Sequence, residues 1–178
     1  MARWNIDPSH SDAQFAVRHL MLSNVKGLFH GISGVIEFDP DNLAASSVEA
    51  AIEAGTLNTG IQDRDDHLKS EDFLNVANHP DITFKSTSVE VGTGTGIWGT
   101  IIGDLGIRGI TQPVTLEVTQ FGPVKDPFQG QTHIGFHATT VIDRGDFEMK
   151  WNAELEGGGV IVGETVRITL DVEAILDE

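Results

Sequence analysis

Residues 165–173 alternate without a break: Val166, Ile168, Leu170 and Val172 are apolar, while Thr165, Arg167, Thr169, Asp171 and Glu173 are polar. A side-chain period of two is that of a β-strand with one face buried and the other wet. The same rhythm returns at Val48, Ala50, Ile52 and Ala54, at Val114, Leu116 and Val118, and at Ile134, Phe136, Ala138 and Ile142. It predicts strands near 3–6, 11–19, 25–38, 47–54, 81–91, 96–105, 113–123, 132–143 and 160–174. Turn chemistry separates several of them: Asp39-Pro40-Asp41-Asn42, the Gly-Thr-Gly-Thr-Gly run at 92–96, Gly122-Pro123 and the triple glycine 157–159. Repeated one-sided strands point to an antiparallel sheet, and closing that sheet buries the apolar faces and removes the edges. The expected fold is all-β, an antiparallel barrel.

One helix interrupts the pattern. Thr59-Gly60-Ile61-Gln62 has the form of a capping box and predicts a helix over 60–69, with Ser70 capping a short apolar turn through Phe73 and Leu74. Ile61, Arg64 and Leu68 then share a face bordered by His67, and that face is expected to cover one mouth of the barrel.

Whether the barrel is hollow is open at this level. On the strand near 96–105, Ile97, Gly99, Ile101, Gly103 and Leu105 share a face, so its glycines read either as gaps that widen a lumen or as the taper that barrel closure needs. An eight-stranded barrel has an interior that side chains can fill or that can hold one small ligand.

Composition narrows the partners. The 178 residues carry 27 acidic and 11 basic side chains, a formal charge of -16, which repels phosphate backbones and argues against nucleic acid. With 39% hydrophobic residues and no shift of composition, residues 1–178 read as one domain. No segment approaches the ~18 continuous apolar residues of a membrane helix, so no stable membrane insertion is expected. Met1-Ala2-Arg3 runs straight into Trp4-Asn5-Ile6, which leaves no room for a signal peptide and predicts a cytoplasmic protein.

The candidate chemistry is sparse. There is no cysteine, and the seven histidines form neither H-x-H nor H-E-x-x-H; His133 and His137 stand roughly 13 Å apart along one strand. No metal site is expected. Asp63, His67 and Ser70 supply the residue types of a hydrolytic triad, but without a G-x-S-x-G elbow and on adjacent helical turns they read as capping and solvated pairs. Arg64, His67, Arg144 and Lys150 read as donors, either in ion pairs with Asp65, Asp143 and Asp146 or toward a ligand's polar end. Nine phenylalanines, three tryptophans and no tyrosine favour an apolar ligand or a plain core.

Several segments together resemble the YceI-like family of bacterial isoprenoid- and lipid-binding barrel proteins. They are Trp4-x-Ile6-Asp7-Pro8-x-His10-Ser11 with Phe15-x-Val17-x-His19; Val25-x-Gly27-x-Phe29 and Gly34-Val35-Ile36-x-Phe38-Asp39-Pro40; Arg64-Asp65-x-His67-Leu68 with Ser70 and Asp72-Phe73; Pro80-x-Ile82-Thr83-Phe84-x-Ser86-Thr87; the run from Leu105 to Val114; and Arg144-x-Asp146-Phe147. The resemblance covers nearly the whole chain. It implies an extended eight-stranded, lipocalin-like barrel with short helices near one end and an apolar tunnel for a polyprenyl chain, a quinone or another long amphiphile. No further cofactor is implied.

On matched positions the resemblance makes Phe15, Val17, Phe29, Leu68, Phe73 and Phe84 candidate tunnel wall, and Arg64, His67 and Arg144 candidate neighbours of the polar end. Ile101 and Phe136 join the wall from strand parity alone. Gly106 stands where the family usually has threonine and Glu148 where it usually has glycine, and the export signal common in the family is missing. The first reading is therefore a non-enzymatic carrier of an isoprenoid-like lipid. An enzyme using His67 with a nearby carboxylate, and a stress-related structural oligomer, are the alternatives. A two-fold homodimer is the default assembly, with Ile102 and Trp98 as an outward apolar surface.

Overall fold

The computed structural model describes residues 1–92 and 99–177. Ten strands form one antiparallel sheet among them: β1 (Ala2–Ile6), β2 (Asp12–His19), β3 (Ser23–Phe29), β4 (Ile32–Phe38), β5 (Ser47–Glu53), β6 (Asp81–Val91), β7 (Gly99–Ile107), β8 (Ile110–Lys125), β9 (Thr132–Asp143) and β10 (Val162–Leu176). β1 and β2 both run along β10, with Trp4 opposite Leu176 and Ala13 opposite Leu170. On their other side lie β4 and β3, with Trp4 opposite Ile36 and Ala13 opposite Phe29. β1 with β2, and β3 with β4, are thus two long strands, each broken once. Counted so, the sheet is an eight-stranded antiparallel barrel, closed where β1 meets β10.

The breaks have local causes. Pro8 has no N–H to give the ladder, and the Asp7 carboxylate takes the N–H of Ser9 at 2.9 Å, which turns the chain through a single 3-10 turn before β2 resumes. In the second strand the sequence pattern runs unbroken through 25–38, yet Gly31 adopts φ 67°, a left-handed torsion that glycine takes without steric cost, and the strand kinks there. The kink shifts the alternation by one residue: Val25 and Phe29 face the cavity before it, and Ile32, Ile36 and Phe38 after it.

In an up-and-down barrel alternate connections emerge at the same end. The β2–β3 tip, the long β5–β6 connection, the β7–β8 turn and the β9–β10 loop share one end. There α1 (Gln62–Lys69) and the 144–161 segment fold over the mouth. The capping box does not form: α1 starts two residues late, at an Ile61 N-cap with no side-chain bond. Thr59 instead gives its N–H and hydroxyl to Asp65, and Arg64 Nε donates to the Thr59 hydroxyl at 2.8 Å, so the same residues tie the helix start to the preceding loop. Arg64, His67 and Leu68 face inward, but Ile61 is half exposed, contrary to the expected face.

Toward the opposite end Trp4, Ile134 and Ala174 are 5%, 1% and 0% exposed and pack solidly. The glycines of β7 do not open the lumen. A Cβ on Gly103 would overlap the ring of Phe84, and one on Gly99 would strike the carbonyl of Glu90, so both permit close approach. Phe15 lies across Gly27 in the same way. Ile97, Trp98, the start of the strand expected from 96 and most of the 92–96 glycine run lie outside the described residues; Ile102 is half-buried. No helix among the described residues is long and apolar enough to cross a membrane.

Candidate functional site

A cavity of about 420 Å³ runs inside the barrel, within the size range of small-molecule sites. Its wall is the inward face of the strands. Phe15 and Val17 come from β2, Phe29 from β3, Phe84 from β6, Ile101 from β7 and Phe136 from β9. Leu68 and Phe73 close it from α1 and the turn that follows. Phe15 and Phe29 are tilted neighbours at 5.6 Å, and Phe38 meets Phe136 edge-on at 6.0 Å.

The arginines and histidines of the wall gather at the α1 end. Arg64, His67 and Arg144 all reach the cavity there, together with Arg18 and His19 at the top of β2. His67 Nε2 lies 2.9 Å from Asp72 Oδ2, so its carboxylate partner is Asp72 and not Asp63, and its ring stands edge-on to Trp151 at 4.6 Å and to Phe73 at 5.1 Å. Trp151 lines the cavity and was missed: it follows the last strand-like pattern of β9 in a loop that has no period to read.

Arg144 is 4% exposed, and none of its contacts is the expected ion pair with Asp143 or Asp146. Its Nε donates to Gly163 O at 2.8 Å, Nη1 to Met149 O at 2.6 Å and Trp151 O at 2.9 Å, and Nη2 to Val162 O at 3.2 Å. The guanidinium also sits 5.9 Å from the Phe73 ring centre. Burial pushes its pKa below the ordinary value, against the opposing pull of Glu164 and Asp143. Lys150 pairs with Glu148 at 2.8 Å, and Arg64 with Thr59 rather than Asp65. Glu148, where the resembling family has glycine, holds φ 59°, the left-handed torsion that explains the usual glycine.

Away from the cavity, ligand atoms of Asp7, His10 and Glu173 come within 4.8 Å of one another, an arrangement that histidine spacing along the chain did not reveal. His10 Nδ1 lies 2.8 Å from Asp7 Oδ2, and His133 Nδ1 2.7 Å from Glu173 Oε1. Burial works against the Asp7 carboxylate, but hydrogen bonds from His10 and Ser9 outweigh it and hold its pKa at about 2. The hydrogen bond to Asp7, followed by the charge of Glu173, raises that of His10. A carboxylate with a depressed pKa supplies stability that is present above its unfolded value and lost as pH falls through about 2. The His10 contribution has the opposite sign and is lost as pH rises through its raised pKa. Asp7→Asn is expected to cost about 1 kcal/mol at neutral pH, the exposed partner being screened by water. In urea unfolding that deficit shrinks between pH 4 and pH 2; a deficit constant over that range would assign the loss to packing.

A family model described as the YceI-like domain matches residues 4–174. A UPF0312 protein of Staphylococcus epidermidis is 33% identical over 177 residues, 99% of each chain. The crystal structure of BcnA from Burkholderia cenocepacia superposes with a TM-score of 0.75 at 20% identity, covering 94% of this chain and 98% of that one. A polyisoprenoid-binding domain from Saccharophagus degradans, implicated in plant cell wall breakdown, gives 0.66 at 13% identity over 99% and 100% of the two chains.

Proposed function

Because the chain belongs to the YceI-like family, we propose that it is a non-catalytic carrier or store for an isoprenoid-like or similarly long amphiphile, held with its tail in the barrel. The observation that carries this reading is the cavity: about 420 Å³, walled by inward strand faces that are almost wholly aliphatic and phenylalanine. The arginines and histidines on that wall are confined to one end, which suits a molecule with one polar end and a long apolar remainder. The structural likeness to a polyisoprenoid-binding domain supports the same class of ligand.

The energetics favour such a ligand. Each buried methylene contributes about 0.8 kcal/mol, so a tail of about a dozen carbons offsets the cost of immobilising the molecule with one or two polar contacts at its head. The purified protein is expected to carry lipid visible by native mass spectrometry and recoverable unchanged by organic extraction, or to take up farnesol or ubiquinone after delipidation. Failure to retain or bind any of these would overturn the carrier reading. Recovery of a chemically altered lipid, lost in His67→Ala, would instead make the protein an enzyme.

A further inference from the structure

Resting on the carrier reading, we propose that the α1 end of the cavity recognises an anionic head group, a carboxylate or phosphate, rather than a neutral one. The chain has 27 acidic against 11 basic side chains, so a random sample of its charged residues would be mostly acidic. The cavity wall reverses this. It carries Arg18, Arg64 and Arg144 with His19 and His67, and, among the described residues, no aspartate or glutamate.

Topology explains the gathering. Arg18 and His19 end β2, Arg64 and His67 sit on α1 in the β5–β6 connection, and Arg144 follows β9; all three connections emerge at the same end of the barrel. None of the three arginines forms an ion pair with a described carboxylate, whereas exposed cations such as Arg3, Lys85 and Lys150 do. A guanidinium has five N–H donors. Arg64 spends Nε and one on Nη2 on Thr59, which leaves Nη1 for a ligand. Arg18 makes a single 3.4 Å contact to Met21 O.

The carbonyl cage of Arg144 satisfies donors without cancelling charge, and the apolar wall beside it screens poorly, so its field extends into the cavity. A neutral head group adds nothing to the partial compensation that Glu164 and Asp143 give Arg144 from outside the cavity. An anion gains charge-assisted hydrogen bonds and lowers the cost of the buried cation. His67 is partnered by Asp72, Asp65 reaches Arg64 through Thr59, and Glu164 and Asp143 act on Arg144 from a distance, but none of these carboxylates lines the cavity.

The test pairs ligands that differ only in charge: hexadecanoic acid against hexadecanol, and farnesyl phosphate against farnesol, each delivered from phosphatidylcholine vesicles to the delipidated protein. The acid or phosphate is expected to bind about tenfold or more tightly than its alcohol, with the advantage shrinking as salt rises. Arg18→Gln, at an exposed position, and Arg64→Gln are expected to weaken the acid and the phosphate more than their alcohols and so to reduce that advantage, with folding checked by circular dichroism. A larger advantage in the phosphate pair than in the acid pair, or the reverse, identifies the oxygen group recognised. Equal affinities within both pairs would overturn the head-group assignment and leave the carrier reading standing; binding of neither member of either pair would overturn the carrier reading beneath it.

Discussion

Arg144→Ala is expected to lower the unfolding free energy by about 3–5 kcal/mol, a large part of the total for a domain of this size. Four backbone carbonyls, of Met149, Trp151, Val162 and Gly163, accept from this one side chain, Val162 O having Asn152 Nδ2 as a second donor at 2.8 Å. Alanine leaves them in a site where the arginine itself is 4% exposed, so water cannot replace the donors without opening the loop. These acceptors also fasten both ends of the 149–163 segment to the barrel wall, and with them Trp151 at the cavity mouth. Arg144→Lys keeps the charge but offers three donors from one point in place of a planar fork, and it is expected to recover only part of the loss. Urea unfolding followed by far-ultraviolet circular dichroism gives the numbers. A loss below about 1 kcal/mol for the alanine variant would mean that the loop holds itself and the guanidinium is spent elsewhere.

The contrast between Arg144 and its neighbours shows which parts of this protein are legible in the chain. Strand existence and facing follow from period-two patterns because a half-buried sheet imposes them at every step, and 81–91 and 132–143 match β6 and β9 to the residue. Strand parity named Ile101 and Phe136, and the family resemblance named Phe15, Val17 and Phe84; all five line the cavity. The break between β3 and β4 shows only as a change of parity, from Val25 and Phe29 to Ile32, Ile36 and Phe38, which a reading of 25–38 as one strand passes over. The glycines of β7 were ambiguous for a different reason. What fills the space over Gly103 is the Phe84 ring on the neighbouring strand, and a cross-strand neighbour depends on register.

Partners of charged side chains were the least legible. Sequence proximity suggested Asp143 and Asp146 for Arg144, but the chain turns so that carbonyls from Met149 to Gly163 converge on it, and carbonyls are identical at every position. The trio of Asp7, His10 and Glu173 is the same lesson at longer range, since the antiparallel pairing of the chain's two ends brings 7–10 beside 173. The resemblance to the YceI-like family named Arg64, His67 and Arg144, which lie together on the cavity wall; it did not name Arg18, His19 or Trp151.

Filling the lumen should separate tail binding from stability. Ala138 is 6% exposed, points into the cavity from the middle of β9 and packs among Leu116, Val118, Phe84, Ile101, Phe136 and Leu170. Ala138→Phe puts a ring into that space. Overpacking a filled core costs about 1–3 kcal/mol, but here the ring has free volume to enter, so the cost is expected at or below the low end. Ligands whose tails pass this level lose room for three or four methylenes, about 3 kcal/mol and therefore roughly a hundredfold in affinity. Short tails that end above it, nearer α1, bind as before. Val141→Phe, on the outward face of the same strand and 55% exposed already, is the control and is expected to change neither quantity. Equal affinity for long and short tails in both variants, with the fold intact, would show that the tail does not occupy the barrel. A large loss of stability in Ala138→Phe alone would show that the space seen beside Ala138 is closed in solution by the packing of Phe84 and Phe136. The carrier would then have to open its core to load, and the cost of that opening would appear as weak binding of every tail, whatever its length.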